Sequence, residues 1–385
     1  MLDLDRMAKE LQAPAAAPLH LRLRGALQAQ IADGTLQPGE LLPPERALQE
    51  HLGISRATVR QAIKNLVDTG MLKSVVGAGT FVLERRETPS ERNLVGIIVP
   101  DAAFYIYYAN LASSLGFQLR EAGYRVDMSI HNDRYETLTE IVDSLVSQQV
   151  AGVVIVAPNQ GSIEPLIHQL RAHGIIVLLL TRYLEGFPDV NYVGADNERI
   201  GYEAAQHLIQ LGHTSIVHVA GTRSSTAHDR ANGYIRALRE AQLIPQLFIP
   251  PLERGYDLAP DLAPFSIGTD ETQLWFSIAR REITAAFCFN DATASWVQKE
   301  IRNLNLVIPR DLSLIGVDNM PYADFFDAPL TTFALPGEEI GKEAAKLLLR
   351  RLNGETFPRE RTLLPARFIQ RLSTAPPRLA PVLAR

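Results

Sequence analysis

The feature that most constrains this chain is a change of hydrophobic rhythm near residue 94. From there, apolar runs of strand length alternate with stretches of helical periodicity. The order begins Leu94–Val99, a predicted helix near Ile106–Ala122, Arg125–Ile130, a helix at Tyr135–Gln148, Gly152–Val156, a helix at Ile163–His173 and Ile175–Leu180. It continues with Tyr192–Ala195, a helix at Glu198–Leu211, Ile216–Ala220, helices at His228–Ala241 and Glu271–Arg280, Ala285–Phe289, a helix at Ala292–Leu304, and Leu312–Val317. Strands that are apolar along their whole length must be covered on both faces, which predicts parallel sheets between helical layers. Residues 94–372 are too many for one such sheet, so two α/β lobes with a cleft between them are expected.

The front of the chain reads differently. Leu19, Leu23, Leu27 and Ile31 recur every four residues, the spacing of an amphipathic helix. Asp33-Gly34 and Pro38-Gly39 are turn signals, Pro44 opens a second helix that Gly53 ends, and Ser55 caps a third helix over Arg56–Thr69. Two short strands follow, Met71–Val76 and Thr80–Leu83, around Gly77-Ala78-Gly79. Helix, helix, short turn, helix, hairpin is the order of a winged helix-turn-helix over residues 18–83. The charged segment 84–93, with Pro89 and no apolar period, reads as a linker, and residues 1–17, which run into an Ala-Pro stretch, as a flexible tail.

Composition narrows the classes. The chain has 385 residues, 46% of them hydrophobic, which is enough to build cores and argues against disorder. Its apolar runs fall well short of the roughly 20 residues of a membrane helix. No basic start and apolar core mark a signal peptide in the first 17 residues, so a cytoplasmic protein is expected. The single cysteine, Cys288, can form neither an internal disulfide nor a zinc site alone, and no metal or other cofactor is expected. Pro18–Thr88 carries nine Lys/Arg against seven Asp/Glu, a mildly basic front on a chain of net charge −5.

A helix that reads DNA needs one face that packs and an opposite face of Arg and Ser/Thr. Arg can grip guanine with two hydrogen bonds, and Thr reaches phosphate or a thymine methyl. The predicted helix from Arg56 has Arg56, Thr58 and Arg60 in its first turns, with Val59, Ile63, Leu66 and Val67 on the other face. An ordinary amphipathic helix with solvated charges fits the spacing equally well. The residues Ile31-Ala32-Asp33-Gly34, Pro43-Pro44-Glu45-Arg46-Ala47-Leu48, Ser55-Arg56-Ala57-Thr58-Val59-Arg60 and Gly77-Ala78-Gly79-Thr80-Phe81-Val82, however, closely resemble the GntR family of bacterial transcription regulators. The resemblance implies DNA contacts from Arg46, from Ser55, Arg56, Thr58 and Arg60, and from the wing glycine Gly77. Val76 and Ala78 replace the polar or basic residues usual in that wing, and Lys73 is expected to compensate.

The rest of the chain resembles the sensor domain of LacI-type regulators, itself similar to periplasmic sugar-binding proteins. Val95-Gly96-Ile97-Ile98-Val99-Pro100, Val193-Gly194-Ala195-Asp196-Asn197, Arg230-Ala231-Asn232-Gly233-Tyr234, Phe289-Asn290-Asp291 and Ile315-Gly316-Val317-Asp318-Asn319 carry the likeness. A GntR-like front on a LacI-like sensor resembles the AraR-type arabinose regulators. The resemblance implies one lobe near 94–195 and 329–353, and a second near 196–328 and 361–372. It also implies a sugar-like effector held by Arg230, Asn290, Asp291 and Asp318, with Ser224 and Thr226 upstream. The loop after the first strand is expected to bring Phe104, Tyr105, Tyr107 and Tyr108 to the mouth. Arg182 stands where an Asp is common in the family, which favours an anionic or phosphorylated ligand. The competing readings are turn or helix capping for Asp291 and Asp318, a surface ion pair for Arg230, and packing or dimer contact for the aromatic loop.

Other signals weigh little. Gly77-Ala78-Gly79 lacks the helix and the Lys-Ser/Thr of a phosphate loop, and His168/His173 and His207/His213 lack the spacing for joint metal binding. A fused Schiff-base enzyme would need a lysine in the large module, where only Lys299, Lys342 and Lys346 occur, all in helical contexts. A transport-type sugar-binding protein is opposed by the DNA-binding front. The expectation is therefore a non-enzymatic, ligand-responsive repressor. It binds double-stranded operator DNA as a homodimer and a sugar or sugar-like effector, and it has no membrane association.

Overall fold

The computed structural model describes residues 3–12, 18–32, 35–37, 39–68, 71–75, 79–82, 92–100, 106–158, 162–184, 190–221, 224–250, 261–268 and 270–378. Gly77, Phe104, Tyr105 and most of the expected linker lie outside the described residues. The chain divides into two compact units, Met1–Glu87 and Thr88–Arg385.

The first unit contains α1 (Leu4–Gln12), α2 (Leu19–Ala32), α3 (Glu45–Leu52), α4 (Arg56–Asp68) and the antiparallel hairpin β1 (Leu72–Val75) and β2 (Gly79–Val82). Helix α1 corrects the expectation of a flexible tail. Met7 and Leu11, one turn apart, are buried in the same core as Leu23, Leu27, Leu48 and Leu66. Asp3 and Gln30 exchange two hydrogen bonds of 2.8 Å that fasten α1 to α2. Composition near the Ala-Pro stretch hid a helix whose apolar pair completes a small core. In α2 only part of the expected stripe is buried: Leu23 and Leu27 are fully covered, but Leu19 is 44% exposed. A strict four-residue step drifts about 40° around a helix each time, so the ends of such a row leave the core face. Gly53 takes the left-handed conformation (φ 66°) that closes α3, and the Ser55 hydroxyl accepts the Thr58 N–H to open α4.

The second unit is built on two parallel sheets. Lobe one carries β3 (Leu94–Val99), α5 (Ile106–Glu121), β4 (Arg125–Ile130), α6 (Tyr135–Ser147), β5 (Gly152–Val156), α7 (Glu164–Ala172), β6 (Ile176–Leu180) and β7 (Asn191–Ala195). Lobe two carries α8 (Asn197–Gln210), β8 (Ile216–Val219), α9 (Ser225–Glu240), β9 (Leu247–Phe248), α10 (Glu271–Ala279), β10 (Ala285–Cys288), α11 (Asp291–Asn303) and β11 (Ser313–Ile315). The chain then passes through β12 (Thr332–Ala334), α12 (Gly337–Leu352), β13 (Arg361–Leu364) and β14 (Arg367–Ile369). The strand order is β13-β7-β6-β5-β3-β4 in the six-stranded sheet and β11-β10-β8-β9 in the four-stranded one.

One apolar core joins α5 and α12, on one face of the larger sheet, to α8 and α9 on one face of the smaller. Helices α6 and α7 cover the opposite face of the first sheet, and α10 and α11 that of the second. Two glycines let α8 and α9 touch backbone to backbone. A Cβ on Gly201 would collide with the Arg230 carbonyl, and one on Gly233 with that of Glu198. The chain crosses between lobes after β7, returns as α12, and crosses back after β13, with β14 pairing β12 and Ser373 bonding to Leu314 in lobe two. Residues 361–364 thus belong to lobe one, against the expectation that placed them in lobe two. They form β13, which satisfies the otherwise open edge of β7 over Tyr192–Ala195.

Candidate nucleic-acid interface and effector cleft

In the first unit, α4 buries Val59, Ala62, Ile63 and Leu66 and turns Arg56 and Arg60 outward, 63% and 62% exposed. Both guanidiniums meet one carboxylate on α3: Glu45 lies 3.2 Å from Arg56 and 3.0 Å from Arg60. The Arg60 guanidinium holds the Glu45 carboxyl below its usual range, against an opposing push from burial and with a further pull from Arg56. Arg46, beside Glu45, extends into solvent and pairs with Glu50 at 2.9 Å. The Thr58 and Ser55 hydroxyls are 2.8 Å apart at the start of the helix, and Lys73 is exposed on β1. Exposed pairs of this kind are weakened by solvent and salt, so phosphate oxygens can compete for the same guanidiniums. The geometry is an exposed cationic face on two helices, held in register by Glu45. Glu45 lies inside the Pro43–Leu48 motif, but its role depends on α3 lying against α4, which spacing along the chain does not show.

In the second unit, the predicted ligand residues collect where strands end. Arg182 follows β6, Ser224 and Thr226 lie beyond β8, Asn290 and Asp291 follow β10, and Asp318 follows β11. The crevice outside the carboxyl ends of parallel strands is where such sheets bind small molecules. Arg230 is buried on α9. Its Nε donates to Asn197 Oδ1 (2.9 Å), its Nη1 donates to the Phe289 carbonyl (2.5 Å), and its guanidinium lies 4.8 Å from the Phe289 ring centroid. Burial works against the Arg230 charge, while Asp318 first, then Tyr108, Tyr107 and Asp291, work in its favour. Burial on α5 pushes the Tyr107 hydroxyl well above its usual range, with smaller pushes from Tyr108, Tyr192 and Asp318 and an opposing pull from Arg230. Tyr107 and Tyr108 of lobe one thus lie within electrostatic reach of Arg230 and Asp318 of lobe two.

Asp318 has a positive φ of 108°, which L residues rarely adopt, and its N–H bonds to the Phe333 carbonyl at 2.9 Å. Burial pushes its carboxyl up to about 7, against the pull of Arg230 and with a further push from Asp291. Asp291 is fully buried and pushed up to about 6 by burial, even though it accepts bonds from the Thr332 hydroxyl and the Met320 N–H, each 2.7 Å. Asn290 caps α11 through Thr293 N–H (2.8 Å), and Ser224 caps α9 through Ala227 N–H (3.2 Å). Thr226 bonds the Ser224 hydroxyl at 2.8 Å. Arg182 donates to the Ala157 carbonyl at 2.7 Å, reaches the Tyr108 hydroxyl at 3.5 Å and lies 3.5 Å from Asp133.

The structure thus brings Tyr108, Arg230, Asp291 and Asp318 within electrostatic reach of one another and adds two residues, Asn197 and Phe289, that hold Arg230. Both sit inside motifs of the resemblance, but nothing in their spacing shows that they grip Arg230. Among the described residues no cluster of His, Cys, Asp or Glu could hold a metal, and no helix is long and apolar enough to cross a membrane.

Residues 19–82 match the family of bacterial regulatory proteins, gntR family, and residues 205–374 match the periplasmic binding protein-like domain. Over 354 residues the chain is 29% identical to the arabinose metabolism transcriptional repressor of Geobacillus stearothermophilus, spanning 86% of this chain and 91% of that protein. It is 26% identical over 356 residues to the HTH-type transcriptional repressor CytR of Escherichia coli K12, spanning 91% and 94%. A LacI family transcriptional regulator from Enterococcus faecium, solved with bound ribose, superposes with a TM-score of 0.57 at 26% identity, over 74% of this chain and 99% of that one. With both matched in one chain, the protein carries a DNA-binding domain of the bacterial gntR family at its front and a periplasmic binding protein-like domain in its two-lobed α/β body, and over most of its length it is similar to an arabinose metabolism repressor.

Proposed function

We propose that this protein is a non-catalytic repressor that binds a pseudo-palindromic operator as a homodimer in the cytoplasm and is released by a sugar or sugar-like effector. Residues 18–83 serve as the DNA-binding domain, 84–93 as the connection and 94–372 as the sensor. The observation that carries the reading is the convergence of Arg230 and Asp318 from lobe two with Tyr107 and Tyr108 from lobe one, in a chain whose separate N-terminal unit exposes Arg46, Arg56 and Arg60. The named relatives are repressors, and a structural neighbour holds ribose, which supports the same assignment.

In this reading Arg46, Ser55, Arg56, Thr58, Arg60, Lys73 and Gly77 meet DNA. Phe104, Tyr105, Tyr108, Arg182, Ser224, Thr226, Arg230, Asn290, Asp291 and Asp318 form or support the effector site. Asp318 accepts from a hydroxyl, and the tyrosines cover the apolar face of a ring. Arg182 supplies a second cation, so an effector with a carboxylate or phosphate fits as well as a neutral pentose.

The test is thermal unfolding of the full chain against a panel of neutral, acidic and phosphorylated sugars, with and without operator DNA. Binding to the native state raises the midpoint by mass action. An effector should raise the midpoint alone and dissociate the DNA complex in a gel shift. If no compound moves either reading, the sensor assignment fails.

A further inference from the structure

One carboxylate outside the proposed effector site ties the two lobes together. Asp229 precedes Arg230 on α9, in lobe two. Its Oδ1 accepts the Tyr183 hydroxyl at 2.7 Å, and the Ser225 hydroxyl, one turn earlier on the same helix face, accepts the Tyr183 N–H at 2.9 Å. Tyr183 follows β6, in lobe one. Arg361, the first residue of β13 in lobe one, lies 4.1 Å from the Tyr183 ring centroid and 3.7 Å from Asp229 Oδ2. The Tyr183 ring packs edge-on against Tyr192, 5.5 Å between centroids, and the Tyr192 hydroxyl donates to the Thr181 carbonyl at 3.0 Å. The Tyr183 side chain is thus fixed from the lobe-one side and ends on lobe two. The Asp229 side chain is only 16% exposed, so the contact is largely shielded from solvent.

We propose that Asp229 is an interlobe latch whose grip on Tyr183 and Arg361 sets how much of the ligand-free protein is closed. The inference rests on the sensor reading above. A ligand that spans both lobes binds the closed form, and its apparent affinity scales with the closed fraction. Residue 229 then tunes the response, while its neighbour Arg230 acts in the cleft. Release of the latch weakens effector binding without touching Arg230 or Asp318.

The experiment reads closure directly, with no sugar added. Glu136→Cys on α6 and Lys299→Cys on α11, both exposed, carry a fluorescent donor and acceptor on the two lobes of the full chain. The native Cys288 is buried and does not compete for label. Asp229→Asn and Tyr183→Phe should each lower the closed-to-open ratio about tenfold, the loss expected for a hydrogen bond to a charged group. The double variant should be no more open than Asp229→Asn alone, because both changes break one contact. Unchanged energy transfer in both variants, or fully additive effects, overturns the latch. Tyr183→Phe removes only an O–H, so it decides the matter if Asp229→Asn unfolds. A latch that operates in a protein no sugar stabilises would sink the effector reading and leave this inference standing; the converse result would do the opposite.

Discussion

At the scale of single residues, the guanidinium of Arg230 serves two ends. It supports the fold by bonding to Asn197 and Phe289, and it places positive charge beside Asp318. Arg230→Ala should therefore lower the stability of the second unit by about 1–3 kcal/mol, because buried acceptors lose their partner. Operator affinity should persist while the effector response weakens ten- to a hundred-fold, in the range of about 1–3 kcal/mol of lost pairing. Loss of DNA binding with effector affinity intact, in a gel shift and a titration, would assign Arg230 to the fold alone.

Asp318 gives a signed pH dependence. Its folded carboxyl is raised to about 7, so the native state holds more protons than the unfolded chain from the ordinary Asp range up to that value. Stability contributed in this way falls as pH rises toward 7. His218, buried between Tyr234 and Phe287 and lowered by burial to about 4, acts in the opposite sense, adding stability as pH rises from 4 toward the ordinary histidine value. Asp318→Asn should make the unfolding midpoint rise more steeply with pH between 4 and 7. A profile identical to the parent's would show that Asp318 titrates normally.

At the scale of elements, two contacts decide whether the sites exist. The first is the crossing of α8 and α9, where Gly201 meets the Arg230 carbonyl. Gly201→Ala forces the helices apart and displaces Arg230, and it should cost about 3 kcal/mol or more, visible in urea unfolding. A near-native midpoint would mean that the helices separate cheaply. The second is α3 against α4, where Glu45 collects Arg56 and Arg60. The double variant Arg56→Ala, Arg60→Ala should abolish specific retention of operator, because α4 then keeps its buried face but loses the two guanidiniums at its exposed start. Normal protection of the operator by that variant in footprinting would move the recognition surface elsewhere. Sequence periodicity located these elements well, since each needs only its own apolar spacing. It did not show which residues they press together.

At the scale of the whole molecule, the proposed function has one winged helix reading a half-site, so tight binding is expected to need two chains on a two-fold site. Affinity should fall with salt with a log–log slope of about −0.9 for each phosphate neutralised. Removal of Arg46 should reduce the slope by about one such unit for every phosphate it meets. An unchanged slope in Arg46→Ala, measured on the same operator, would place that side chain off the DNA.

The sequence by itself determined the two classes of module, the positions of most helices and strands, and the strand ends at which Arg182, Asn290, Asp291 and Asp318 stand. These follow from short-range physics: apolar period, turn residues, caps, and motifs contiguous in the chain. Tertiary structure alone decided the rest. It seated α1 on a core that needed Met7 and Leu11, and it added β13 to the open edge of β7 rather than to lobe two. It made Asn197 and Phe289 the partners of Arg230, and it set Tyr183 and Arg361 on Asp229 across the lobes. Each joins residues tens to well over a hundred positions apart, or an edge to a strand that no local pattern assigns to it. Such pairings are chosen by which buried polar groups and open strand edges still need partners once the local elements have formed.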